Sequence, residues 1–350
     1  MNSIGIVARL LLLTCLGIAG CGIERSLAST GLPGDAPTPT QAKGVAETES
    51  KFLSLVDHLS QNAGWRQHTS MPNPRSEMPA AEWAGLIYVP GGYGGGFVTE
   101  ATFEVYDPVS DAWASLAPML EGRHHLMATA HQGKIYAFGG GRSLQDRRPT
   151  NTAWVYDPAV NAWDELANMP ERRIAGAAVS LGDYIYIVGG RGATANLLRY
   201  DPATDAWASL APLGQLREHT AAVVLEGKIY ALAGRWQGVG ELDSVEVYDP
   251  ATDRWSPGIS LDHARGGHAA AVLDGKIYVM GGEVLTGTTL ALDSVEVFDP
   301  ATGSWSPGMP MPVALHGLPA IGLDGRVYAL GGSDRAGAIE NHGRVFSLRP

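Results

Sequence analysis

The chain is predicted to be all-β, with six repeated units closing into a β-propeller whose last blade is completed by an N-terminal strand. Three observations predict it. Hydrophobic segments end six times in a small-residue pair, at Gly91-Gly92, Gly139-Gly140, Gly189-Gly190, Ala233-Gly234, Gly281-Gly282 and Gly331-Gly332. Each pair is followed by an aromatic residue, Tyr106, Tyr156, Tyr200, Tyr248, Phe298 or Phe346. The first five of these begin a Tyr/Phe-Asp-Pro triplet, with a tryptophan seven residues later at 113, 163, 207, 255 and 305. These tryptophans stand 44 to 50 residues apart, a period at which each unit buries its faces only against its neighbours.

Within a unit the elements follow in order. A small-residue run such as Ala269-Ala270-Ala271-Val272 suits an innermost strand, where neighbouring blades crowd the axis. Gly-Lys-Ile-Tyr, at 133–136, 227–230 and 275–278, alternates and is β-branched, so it reads as the second strand. Its closing glycine pair permits positive φ or a close backbone approach. Ser-Val-Glu-Val-Tyr/Phe, at 244–248 and 294–298, is the third strand, and Asp-Pro supplies the next turn. Tryptophan then opens the outer strand, where its ring covers the neighbouring blade. The last unit has neither Asp-Pro nor a following Trp strand. Trp65 to Pro72 matches those outer strands, so the two chain ends are expected to share one blade and leave no exposed edge.

Residues 1–20 read as an export signal: Arg9 precedes an apolar run from Leu10 to Ile18 that is too short to span a bilayer comfortably. Ile18-Ala19-Gly20-Cys21 resembles the bacterial lipobox, which implies lipidation of Cys21 and anchoring in the cell envelope. Residues 21–48 form a Pro/Thr/Ser/Gly-rich tether, 49–64 a short lead-in with a helical pattern near Phe52 to Leu59, and 65–350 the propeller. The two cysteines, Cys15 and Cys21, leave the propeller without a thiol, so its stability must come from packing. A formal charge of −11 speaks against a general nucleic-acid binder. A monomer is expected.

The ordered motifs resemble the kelch repeat family over about residues 65–350. That family folds as propellers of four-stranded blades and includes adaptors, carbohydrate binders and enzymes. Sixteen residues before the small pair stand Arg75, Arg123, Arg173, Arg217 and Arg265, with Leu315 in the sixth unit. Arg142, Arg191, Arg235 and Arg335 follow the pairs, and His125, His219, His268 and His316 lie near the first series. Both loop sets emerge on one face, so a cationic mouth is expected on an acidic protein. The repeated arginines also suit bonds to backbone carbonyls between blades. By resemblance to kelch adaptors that capture acidic peptides, Arg123, Arg142, Arg173, Arg191, Arg217, Arg235 and Arg265 are ligand candidates. Trp236, His219 and His268 complete the set, Arg235-Trp236 combining a charge with a stacking surface.

Two functions follow as expectations. One is a lipid-tethered module binding an acidic peptide, a protein or an acidic glycan. The other is an exported isomerase resembling the kelch-type sialic acid mutarotases, with Glu218 and His219 moving the proton. Copper-radical chemistry like that of galactose oxidase is disfavoured, because the propeller has no cysteine. Alternation is expected to send the rings of His124 and His125 to opposite faces. No metal-ligand spacing recurs, so neither a metal nor a cofactor is expected.

Overall fold

A computed structural model describes residues 64–144, 148–192, 194–287, 289–338 and 341–350. The expected signal, the lipidation site Cys21, the tether and most of the lead-in lie outside the described residues. Among the described residues no helix is long and apolar enough to cross a membrane.

Six antiparallel four-stranded sheets follow one another as blades. Blade four is typical: its strands are Ala221–Leu225, Lys228–Trp236, Gly240–Asp249 and Arg254–Pro257, paired in chain order. The inner strands are rich in small residues because they meet across little space. A Cβ added at Gly322 would lie 2.0 Å from the Val272 carbonyl oxygen of the preceding blade.

Blade six joins Ala320–Leu323, Arg326–Leu330 and Val345–Arg349 to the N-terminal strand Gly64–His68. The last two run antiparallel with Trp65 opposite Leu348, so the expected closure is present. The register corrects one detail. Leu348, opposite Val327, takes the place held elsewhere by Tyr248 or Phe298, whereas Phe346 takes the place of Glu246 and Glu296. The two-residue offset escaped the sequence reading because an aromatic side chain drew the alignment.

Two belts hold the blades together. On the outside each strand-opening tryptophan donates its indole N–H to a carbonyl of the adjacent blade. Trp65 reaches Met309, Trp113 Thr69, Trp163 Ala117, Trp207 Ala167, Trp255 Ala211 and Trp305 Ile259, all at 2.8–3.1 Å. On the axis the residues two positions after the arginine series, Glu77, His125, Ala175, His219, Gly267 and Gly317, all have positive φ. Each donates its backbone N–H to the carbonyl of its counterpart in the blade before, at 2.7–2.9 Å, and the series closes from Glu77 back to Gly317.

The arginine series is buried within the blades and does not line a mouth. Arg75, Arg123, Arg173, Arg217 and Arg265 are at most 1% exposed. Arg217 donates to the carbonyls of Ala233 and Ser244 and to Glu246, and Arg265 to those of Gly281 and Ser294 and to Glu296. Arg75 similarly meets Glu104 and the Val89 carbonyl. Where the third strand carries Trp154 or Leu198 in place of that glutamate, the carboxylate comes from Glu121 for Arg123 and Glu171 for Arg173. Arg123 additionally lies 4.8 Å over the Trp154 ring. In blade six, Leu315 and Phe346 replace the ion pair and share one apolar cluster.

Candidate functional site

The site lies on the axis, where the loops after the glycine pairs meet the loops that enter each blade. Isolated bridges tie them one to one: Ser76 to Tyr93, His124 to Gly141, Glu218 to Arg235, Gly266 to Glu283 and His316 to Ser333. Ile174 pairs with Arg191 in the same way within a two-residue ladder. The expectation that both loop sets share a face is met. Above the hydrogen-bonded ring they enclose a pocket of about 320 Å³, and a second cavity of about 160 Å³ continues on the other side between the inner strands.

The pocket floor is made by ring residues. His125 Nε2 lies 3.2 Å from the Glu77 carboxylate and 3.0 Å from His219 Nε2. Its Nδ1 lies 2.7 Å from Nδ1 of His124, whose ring stacks on Tyr93 at 4.1 Å between centroids. The expectation that His124 and His125 point apart is therefore overturned. His125 has φ of 51°, so the backbone there is not a strand and alternation does not apply.

The walls carry Arg191, Arg235, Glu283 and His316, with Tyr93, Phe97, Leu144 and Leu285 as an apolar side. Arg235 is engaged by Glu283 at 2.6 Å, a carboxylate that also accepts the Gly337 N–H and lies 3.6 Å from His316. Arg191 is half exposed and its ion pair with Glu218 is loose, at 3.6 Å. The mouth is thus a mixture of both signs, not a ring of cations. Burial, reinforced by Arg235 and Arg191, pushes His125 down to about 3, and burial with His125 pushes His124 down to about 3. Burial holds His219 well below its ordinary value and raises the Glu77 carboxyl, the nearby Glu283 adding to that rise. At neutral pH the three imidazoles are therefore uncharged.

Of the sequence candidates, only Arg191, Arg235 and His219 line this pocket. Arg142 is paired with Glu121 at 2.9 Å and does not line the pocket. Trp236 lies in an adjoining groove with Gln237, Glu241 and Thr286. His268 is buried in the cavity beyond the ring and pushed down to about 3 by burial and by Arg265 and Arg217. Sequence reasoning missed Glu77, Tyr93 and Glu283. The signal was present: Glu77 shares the repeat position of His125 and His219, and Tyr93 and Glu283 share that of Arg191 and Arg235. Variation at a fixed repeat position, not a shared residue type, marks the site.

Five kelch motifs match, at residues 74–120, 122–170, 172–214, 216–258 and 264–312. The kelch repeat and BTB domain-containing protein 1 of camelpox virus (strain CMS) is 31% identical over 101 residues, 28% of this chain and 17% of that protein. An F-box/kelch-repeat protein of Arabidopsis thaliana is 33% identical over 76 residues, 22% of this chain and 20% of that protein. The chain thus spans about a fifth of the length of these curated relatives. Among solved structures, that of YjhT superposes with a TM-score of 0.68 at 16% identity, covering 80% of this chain and 95% of the other, a likeness of fold alone. The motifs, their order and the blades they form place the chain in the kelch repeat family.

Proposed function

We propose that the axial pocket binds a small carboxylate-bearing glycan, and that the protein serves as a glycan-binding module of the cell envelope, tethered through lipidated Cys21. The observation that supports it is the position of Arg191 at the pocket rim. Burial favours the neutral form of Glu77, and Glu283 is held by Arg235, so Arg191 is the cation placed to meet an anion. Phe97, exposed and set edge to face against the buried Tyr93 at 5.7 Å, offers an apolar surface on which a sugar ring packs. The recessed floor suits a single residue or chain end better than a flat protein epitope.

The test is saturation-transfer NMR with N-acetylneuraminic acid. Arg191→Ala should weaken binding about 10-fold or more, the size of one charge-assisted hydrogen bond. Equal binding by the variant, or none by the native protein, refutes the reading. Arg235→Ala is a poor probe because it strands Glu283, which is 2% exposed. The envelope location has its own check: Cys21→Ala should move the protein from the membrane to the soluble fraction and abolish labelling by radioactive palmitate.

A second reading, isomerisation at the anomeric centre of such a sugar, is supported by the uncharged His125–His219 contact beside Glu77. One of these groups would take the anomeric hydroxyl proton while another protonates the ring oxygen, the ring opening and reclosing without net change. Faster anomer equilibration, lost in His219→Gln, distinguishes this reading from simple binding.

A further inference from the structure

We infer that Glu77, His125 and His219 form a binding site for a divalent metal ion of the zinc class on the propeller axis. Their donor atoms all lie within 4.8 Å of one another. His125 Nε2 is 3.2 Å from the Glu77 carboxylate and 3.0 Å from His219 Nε2. Bonds of 2.0–2.1 Å to a tetrahedral ion would set neighbouring donors about 3.3 Å apart. Two of the three pairs are thus spaced close to the separation that one such ion requires, and the third, Glu77 to His219, closes within 4.8 Å.

Hydrogen bonding among them serves these atoms poorly. When His125 Nδ1–H donates to His124, its Nε2 presents a single lone pair between the Glu77 carboxyl and the His219 imidazole, and only one of the two can donate to it well. When Nε2 carries the proton, it can serve only one of those neighbours well. A cation between them satisfies all three lone pairs.

The outer contacts are those that orient metal-bound imidazoles. Nδ1 of His125 is held by His124, which Tyr93 fixes by stacking. Nδ1 of His219 has no hydrogen-bond partner and faces Glu218 at 3.7 Å, a carboxylate beside the ring nitrogen that a bound metal would leave as a donor. The backbones of all three ligands belong to the closed hydrogen-bonded ring, so the donors start from a fixed frame. Two imidazoles and one carboxylate favour zinc, cobalt or nickel over calcium or magnesium. The three groups line the same pocket as Arg191 and the apolar wall, so a water or an oxygen of a bound ligand would have room to complete the set. The site shares its pocket with the glycan reading but does not depend on it.

Cobalt(II) provides the probe. Full-length protein treated with EDTA should take up a single equivalent, give the visible bands of a low-coordinate nitrogen-bearing site, and release it to zinc. His125→Ala and His219→Ala should each weaken zinc binding by more than about 100-fold, beyond what loss of an outer partner costs. His263→Ala, an exposed histidine on another surface, should leave it unchanged. Absence of a tight equivalent in the native protein overturns the proposal, even if the variants do not fold. So does binding that is equal in the axial variants and in His263→Ala. Titrating N-acetylneuraminic acid into the metal-free protein separates the two proposals: sugar binding alongside a null cobalt titration removes the metal and leaves the glycan.

Discussion

At the residue scale, the repeated arginine is a strut. Arg265 and Glu296 are almost inaccessible, and each satisfies the other with backbone groups sharing the load. Removing only the cation strands a buried carboxylate, so Arg265→Leu should cost about 3–5 kcal/mol in urea unfolding. Blade six shows the apolar solution at the same two positions, Leu315 and Phe346. Adding Glu296→Phe to Arg265→Leu should therefore recover more than half of the loss. Failure of the double variant to exceed the single one would show that the neighbouring packing, not the pair, decides. The buried histidines predict a pH dependence. His124, His125 and His268 sit near 3 in the folded protein against 6.5 unfolded, so the unfolded chain binds more protons between these values. Stability should fall as pH drops from about 6.5 toward 3, followed as Tm by circular dichroism, and His268→Gln should flatten the curve.

At the element scale, the turn after the third strand acts as a latch. Tyr106, Tyr156, Tyr200 and Tyr248 donate their hydroxyls to Asp111, Asn161, Asp205 and Asp253 at 2.6–2.8 Å. Those same side chains accept backbone N–H groups of the adjacent blade at Thr69, Ala117, Ala167 and Ala211. Blade five has Phe298 and Gly303 instead, which keeps the positive φ but drops both bonds. Asp205→Gly should thus cost about 1–3 kcal/mol by thermal unfolding, through two lost hydrogen bonds. The strands themselves were legible because alternation, the glycine pair and Asp-Pro each have a local physical cause. The site was less legible, because Glu77, His125 and His219 are 48 and 94 residues apart and meet only through the ring closure. An arginine repeated at one position likewise reads equally well as a rim cation or as an internal strut. Only burial separates the two.

At the scale of the whole molecule, the shared sixth blade couples the ends of the chain. Deleting residues 60–72 removes the Gly64–His68 strand and the Trp65 indole bond to Met309, exposing the edge of Val345–Arg349. The native melting transition should then be lost as a unit; a truncated protein that keeps it would refute this dependence. The same closure has a second expression at the axis. The links through Glu77, His125, Ala175, His219, Gly267 and Gly317 run head to tail in a circle. A helix or a hairpin unravels from its tips, but a loop of bonds without a tip offers fraying nowhere to begin. These six amides should surrender their protons to deuterated solvent late and together, a synchronised hub inside a wheel whose outer turns breathe one at a time.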